Sequence, residues 1–366
     1  MMVYASKKRL FLISCFTLIV LGILFVFFSL PINEPFNEKS DSSISLLFLG
    51  DFMIGDSYSG SYEKPFNHLD SMLSQKDEII INLETSVTTS NLSVNPEKTY
   101  VYKMDPNVLE TLVNHNITMV NLANNHVMDY GTIGFNDTLH YLQQNQLSFF
   151  GAGNNLSEAR AGKIKSYKDD TTIGFLGYFE YRKSYELKYN FYANDDEPGV
   201  ASINKDQIQS DISLMKNNSD IILVSLHKGR NYETEISKSH QDIARFAIDC
   251  GADAVICHSA HIVLPIEFYK QKPIFYSVGN FIFTTPGRFR YVDEVYHAGI
   301  GVELTIEDQR LSTIELIAFK TNNQVTNYEP IFLDNNESIA LFDVIIPEDV
   351  NATINGSTAR ITIPKV

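Results

Sequence analysis

The sequence has no tryptophan, an absence that excludes nothing, and it has only three cysteines. Cys15 sits inside an N-terminal apolar run, while Cys250 and Cys257 are seven residues apart in apolar surroundings. They read as buried thiols that would pair only if the fold brought them together. Positive charge is also scarce. The 29 Lys and Arg stand against 44 Asp and Glu, a net charge of -15, and there is no long basic run. That balance argues against a nucleic-acid phosphate backbone as the main partner. It would also repel a polyanionic ligand unless a metal or local basic residues offset it. Apolar material is plentiful, with 44% hydrophobic residues including 24 Phe and 19 Tyr. At 366 residues this is ample core for one large or two modest domains, so disorder is not the default.

Long runs that are both uncharged and almost wholly apolar are absent except at one place, residues 10–30, preceded by Lys7, Lys8 and Arg9. Such a run crosses a hydrocarbon core of roughly 30 Å at helical rise. The basic flank stays cytoplasmic, which puts the rest of the chain outside the cell. Cys15 has too little apolar sequence before it for a lipoprotein site, and no small-x-small cleavage pattern is evident near Ser29. An uncleaved, single-pass signal anchor over residues 1–30 is therefore expected, followed by a polar linker over 31–43.

Downstream, short apolar runs alternate with helical spacing. Residues 44–49, 79–83, 117–122, 172–178, 221–226 and 254–256 read as buried strands. Helices are expected from Pro106 to about Val113, over 132–144 and over 237–250, and residues 180–199 read as a long aromatic and charged loop of the kind that covers a site. After Phe283 the pattern turns to alternating strands, at 301–306 and 311–319, and residues 285–366 read as a β-rich part completing or extending the sheets.

The strand ends carry the chemistry. Five of them deliver Asp51, Glu84, Asn125 with His126, His227, and His258 with His261. Ligands in α/β folds gather beyond the carboxyl ends of strands. Asn and Asp also serve turns, and a lone strand-end His is more often structural; the conjunction is what points to a metal. Carboxylate oxygens with imidazole nitrogens suit Mn, Fe or Zn, and two ions bridged by a carboxylate would clamp an in-line displacement at a phosphoryl group.

Six motifs, in this order, resemble the CapA/PgsA capsule-synthesis proteins: Gly50-Asp51-Phe52-Met53, Asn82-Leu83-Glu84, Asn121-Leu122-Ala123-Asn124-Asn125-His126, Gly151-Ala152-Gly153, His227-x-Gly229 with Gly251-Ala252-Asp253, His258 and His261, and Tyr276-Ser277-Val278-Gly279-Asn280-Phe281. The resemblance runs over residues 44–284. It implies an α/β fold of the calcineurin-like metallophosphatase type, a four-layer sandwich of two mixed sheets flanked by helices. It also implies a membrane anchor and work beside a poly-gamma-glutamate synthase membrane complex. Carried over by position, Asp51 is the first metal aspartate, Glu84 the bridging carboxylate, and Asn125 with His126 the metal Asn and catalytic His. His227 and His258 complete one ion's shell, and His261 with Asp51 remain for a second. The Asp-x-His of phosphatases reads Asp51-Phe52-Met53 here, and a thioether is a soft ligand for a hard metal. No substrate-binding residue is assigned, although Lys103, Arg288 and Arg290 are candidate cations for a carboxylate-rich chain. Two function classes follow: an anchored partner in capsule assembly, and an extracellular metal-dependent hydrolase of a phosphoester or peptide-like bond.

Overall fold

The computed structural model describes residues 42–91, 98–285, 289 and 292–364. The expected anchor over 10–30, Cys15, most of the linker, Arg288 and Arg290 lie outside the described residues. Among the described residues no helix is long and apolar enough to cross a membrane.

The described strands form a mixed α/β fold around a ten-stranded and a six-stranded sheet. The first sheet is built on Ile44–Met53, whose ten residues are all buried. A strand buried on both faces reads as a continuous apolar run, which is why it was legible. Its alternation sorts two cores. Leu46 and Phe48 point toward Ile173, Phe175, Leu223 and Ile256 of the second sheet. Leu47 and Leu49 pack instead with Phe66, Leu69, Leu112 and Phe135 on the outer side, where helices Val108–Asn114 and Gly131–Gln144 lie. The far face of the second sheet, with Tyr178, Val224 and Leu226, is covered by Ile208 and Ile212 of Lys205–Met215 and by Ile243 and Ala247 of Lys238–Cys250.

Parallel pairing joins Ile44–Met53 to Glu78–Leu83, that strand to Met119–Asn121, and that to Ser148–Phe150. The other edge of Ile44–Met53 is shared. Its first half pairs antiparallel with Ala298–Glu307, and its last residues pair parallel with Asn280–Phe283. In the second sheet Thr172–Phe179, Ile221–His227, Ala254–His258 and Lys272–Phe275 run parallel, with antiparallel strands at both edges. Gly50 is required where the chain approaches the Gly279 turn, since a Cβ there would meet the Gly279 carbonyl oxygen at 2.0 Å. Gly177 plays the same part between sheets, because its Cβ would fall 2.4 Å from Asn121 Oδ1.

Some expectations are corrected. Residues 180–199 are not one long loop: they contain the helix Lys183–Tyr189, and Gly199–Val200 pairs with Ala152–Gly153. Phe191 is buried there, with Tyr185 and Tyr189 packed against the same core. The C-terminal part also holds a helix, Asn335–Ile345, set by a capping box between Asp334 and Glu337 and buried through Leu341, Phe342 and Ile345. Both Cys250 and Cys257 are free thiols, the first half-buried and the second buried.

Helix Lys238–Cys250 carries a buried His240, whose ring stands edge-on to Tyr276 at 5.2 Å and whose Nε2 has no hydrogen-bond partner among the described residues. Burial, with help from Lys228, lowers its pKa from 6.5 to about 4. The folded state therefore prefers the neutral ring, and the associated stability is present above about pH 6.5 and lost as pH falls toward about 4. The difference bounds the effect at about 3 kcal/mol. Denaturant unfolding of His240→Phe between pH 7 and 4 should show a shallower acid limb than wild type. Parallel limbs would mean that His240 does not contribute.

Candidate metal centre

The carboxyl ends of both sheets meet along one edge, and strand register lines up the polar residues there. Asn280, Asp51, Asn82 and Asn121 are successive partners across the first sheet. Phe179, His227 and His258 are successive partners across the second. Residues in register share a face of the pleat, so each row projects as a set. Glu84 follows one step beyond its strand and is held by its backbone N–H on the Phe52 carbonyl at 3.0 Å.

Asn82 ties the rows together. Its amide donates to Asp51 Oδ1 at 2.7 Å and lies 3.2 Å from His227 Nδ1, while its oxygen accepts from Asn121 at 3.0 Å. Asp51, Glu84 and His227 are buried, with one ligand atom of each lying within 4.8 Å of the others. Glu84 Oε1 is 3.7 Å from His227 Nε2, 3.8 Å from His126 Nε2 and 4.0 Å from His261 Nε2. His258 Nδ1 is 3.6 Å from Asp51 Oδ1. His261 Nδ1 is 3.1 Å from Asp51 Oδ2 and 2.9 Å from Asn280 Oδ1.

Buried polar atoms are normally hydrogen-bonded. Here Asp51 Oδ2, both Glu84 oxygens, His227 Nε2 and His258 Nδ1 have no hydrogen-bond partner among the described residues. Two carboxylates and two imidazoles left this way, converging from both sheets, form a donor set that fits a divalent ion. The electrostatics agree. Burial, reinforced by Asp51, pushes the Glu84 carboxyl well above its usual range. Burial acts on Asp51 in the same direction, but the closeness of the His261 ring, 3.1 Å from its Oδ2, with His258 and His227 behind it, outweighs burial and holds that carboxyl low. Burial depresses His227 strongly and His258 as well, so both rings favour the neutral form that binds metal.

His126 is oriented by a neighbour. Its Nδ1 is 2.6 Å from Asp129 Oδ2, an oxygen that also accepts the Tyr102 backbone N–H at 2.7 Å. The other Asp129 oxygen takes the Lys98 ammonium, which also reaches the Asn125 carbonyl and lies 3.2 Å from His126 Nδ1. Burial and the charge of Lys98 lower His126 to about 4. Lys98 itself is depressed by burial, against the pull of Asp129.

The structure brings Asp51, Glu84, His227, His258, His261 and His126 into one cluster. Asn125 is half-buried, and its carbonyl rather than its side chain has a partner among the described residues. Asn124 shapes the loop, donating to the Leu83 carbonyl at 2.8 Å and accepting the backbone N–H groups of His126 and Val127. The Met53 thioether is engaged in the wall, 4.0 Å from the Thr284 hydroxyl. Lys103 reaches Asn91 and stands over Tyr130. Lys98 escaped sequence reading because nothing near it marks a site; Asn82 and Asn280 stood inside the motifs and become meaningful only through register.

Residues 45–285 match the family described as bacterial capsule synthesis protein PGA_cap, as the motifs led us to expect. The chain is 32% identical over 250 residues to the PGA biosynthesis protein CapA of Bacillus subtilis (strain 168), covering 67% of this chain and 64% of that protein. It is 27% identical over 268 residues to the capsule biosynthesis protein CapA of Bacillus anthracis, covering 68% and 62%. Over 215 residues it is 30% identical to a protein of Mycobacterium tuberculosis named "Probable polyglutamine synthesis accessory protein", covering 56% and 55%. The chain thus spans less than two thirds of the length of these relatives. Among solved structures, the calcineurin-like phosphoesterase YfkN from Bacillus subtilis is similar at a TM-score of 0.49 and 15% identity, over 78% of this chain and 95% of that one.

Proposed function

The chain belongs to the bacterial capsule synthesis protein family PGA_cap, and from that premise we propose that it is a membrane-anchored, extracellular component of poly-gamma-glutamate capsule synthesis and export. In this reading it works beside the synthase membrane complex and carries a calcineurin-type metal centre in a four-layer sandwich. The observation that carries the reading is the match over residues 45–285, together with relatives named for PGA and capsule biosynthesis. The uncharged run over 10–30 behind Lys7, Lys8 and Arg9 supports the anchor. Protease added to intact cells should digest the chain beyond residue 43; protection in an envelope shown to admit the protease would refute the placement.

Asp51, Glu84, His227 and His258 would hold a divalent ion, Mn, Fe or Zn, with Asn125 and His261 as further ligands for it or for a second. A bound ion supplies Lewis-acid polarisation of a phosphoryl or carbonyl oxygen. The protein's own residues do the rest. Asn82 orients Asp51 and His227 from behind, and both carboxylates, Asp51 and Glu84, are buried.

A second reading, a metal-dependent hydrolase of a phosphoester or peptide-like bond, is favoured by one observation. His126 is fixed by Asp129 at Nδ1 and turns Nε2 to within 3.8 Å of Glu84, the placement a proton-transfer group needs. His126→Ala separates the two. In an assembly partner, capsule output of cells carrying His126→Ala should stay near wild type, whereas His227→Ala should lower it. A metal-dependent phosphodiester hydrolysis that falls by about 10²–10⁴-fold in His126→Ala with metal content retained would instead establish the hydrolase.

A further inference from the structure

A cleft of about 770 Å³ opens next to the metal cluster without sharing a lining residue with it. It begins one step beyond His227. Phe179 and His227 are register partners at the ends of their strands, and the half-buried residues that follow them, Glu180 and Lys228, line the cleft. The Glu180 N–H donates to the His227 carbonyl at 3.0 Å, which ties the two segments together as they enter it. Helix Lys238–Cys250, 13 residues long, contributes its start, where Ser237, Ser239 and His240 line the same space. The proposed function uses none of this.

The charges of the cleft are sorted by burial. Among its half-buried groups two cations share one carboxylate: Lys228 reaches Glu180 Oε1, and Arg182 reaches Oε2 through Nε at 3.2 Å and Nη2 at 3.1 Å. Positive charge is therefore in excess there. Glu233 and Glu235 are exposed, where water and salt screen them. Arg230, its side chain 80% exposed, meets Glu233 only at 3.5 Å, a contact weak enough to exchange for a ligand. The helix adds to the positive potential. Ser237 accepts the N–H groups of His240 and Gln241, which leaves those of Lys238 and Ser239 without an intrahelical partner, as at helix starts that receive anions. His240 is a second and independent sign of a ligand. It is 2% exposed, it lines the cleft, and its Nε2 has no hydrogen-bond partner among the described residues. Buried polar atoms are normally paired, and a neutral imidazole can carry its proton on Nε2 and donate it to an oxyanion.

We propose that this cleft is an oxyanion site distinct from the metal centre, taking the carboxylate or phosphoryl group of a small-molecule ligand on Lys228, Arg182, Arg230 and the first turn of helix Lys238–Cys250. Its volume exceeds what a single ion fills and lies in the range of small-molecule sites. A chain with a net charge of -15 repels anions unless basic groups gather locally, and here they do. The site does not depend on an ion in the cluster.

The test uses the full chain in detergent with a chelator present, so that no ion in the cluster recruits the anion. Melting temperatures of wild type, Lys228→Gln, Arg230→Gln and Glu84→Gln first establish that each is folded. Calorimetric titration at low salt with glutarate and, separately, with inorganic phosphate then reads affinity and shows which group is held. Lys228→Gln removes the excess charge and should weaken binding of the preferred anion about tenfold or more. Arg230→Gln, at an exposed position that folding tolerates, should weaken it about threefold and keeps the proposal testable should Lys228→Gln fail to fold. Glu84→Gln, inside the metal cluster, should bind as wild type does. Wild type that binds neither anion overturns the proposal, as does unchanged affinity in the folded cation variants. A change in Glu84→Gln as large as theirs also overturns it, because the anion then sits in the cluster. None of these results bears on whether the cluster takes up metal.

Discussion

Glu84→Gln should change sign with metal: more stable than wild type in chelator, less stable than wild type in Mn(II). The buried carboxylate has no hydrogen-bond partner among the described residues, and its neighbour Asp51 carries the same charge. Its pKa is raised in the folded state, so the fold favours the protonated form. The stability tied to that form is fully present below the unfolded value of about 4.5 and is lost as pH rises toward the folded value. At neutral pH the metal-free fold therefore holds a carboxyl at a disadvantage that an amide does not share. Removing it should stabilise the chelated protein by about 1–3 kcal/mol. With metal the order reverses, because an ion bound only to the native state adds about 4 kcal/mol at a thousandfold excess over its Kd, and the amide forfeits most of that. His227→Ala should likewise lose metal and its stabilisation. Thermal unfolding of the three proteins with and without Mn(II) checks this. A chelated Glu84→Gln less stable than chelated wild type would sink the idea of a carboxylate poised for a cation.

Asp129→Ala should be among the most destabilising single substitutions in the loop that follows Met119–Asn121. The Lys98 side chain is 7% exposed and that of Asp129 fully buried, so removal of the acid strands an ammonium beneath Tyr185 and Phe191. The rings stand 5.6–5.7 Å from the charge and cannot replace a carboxylate. Breaking one side of a buried pair costs about 3–5 kcal/mol. The His126 ring and the Tyr102 N–H lose their acceptor in the same step. Removing both charges, as Lys98→Met with Asp129→Asn, should recover a large part of the loss, and a double-mutant cycle in urea measures it. A loss below about 1 kcal/mol in Asp129→Ala would show that water reaches Lys98 and that the pair does not hold the loop.

The central strands were legible, whereas helix Lys205–Met215 and the strands Lys163–Ser166, Ile266–Tyr269, Lys272–Phe275 and Asn280–Phe283 were not. Ile221–His227 and Ala254–His258 are short apolar runs ending in His, and both extend one or two residues beyond the apolar stretch because the histidine continues the parallel ladder. Helix Lys238–Cys250 announces itself through Ser237 at its start and Gly251, at φ +118°, at its end. Less legible were Lys183–Tyr189, set among the aromatic residues that follow Glu180, and Asn335–Ile345, where expectation of further strands hid a capping box.

By itself the sequence marked the central strands of both sheets, the polar residues that stand at their ends and, through six ordered motifs, the family. Those properties are local: apolar periodicity, turn chemistry and short spacing survive in a linear string. Only the tertiary structure decided how the ends combine. Asp51 meets Asn82 and Asn280 through register, and the row faces His227 and His258 because two sheets pack through Phe48, Phe175 and their neighbours. It likewise selected Asn124 to shape the loop, turned the Met53 thioether to Thr284, and buried Lys98 against Asp129, 31 residues away. Register and sheet docking are set by the summed burial of residues far apart in the chain, and no local pattern carries that sum.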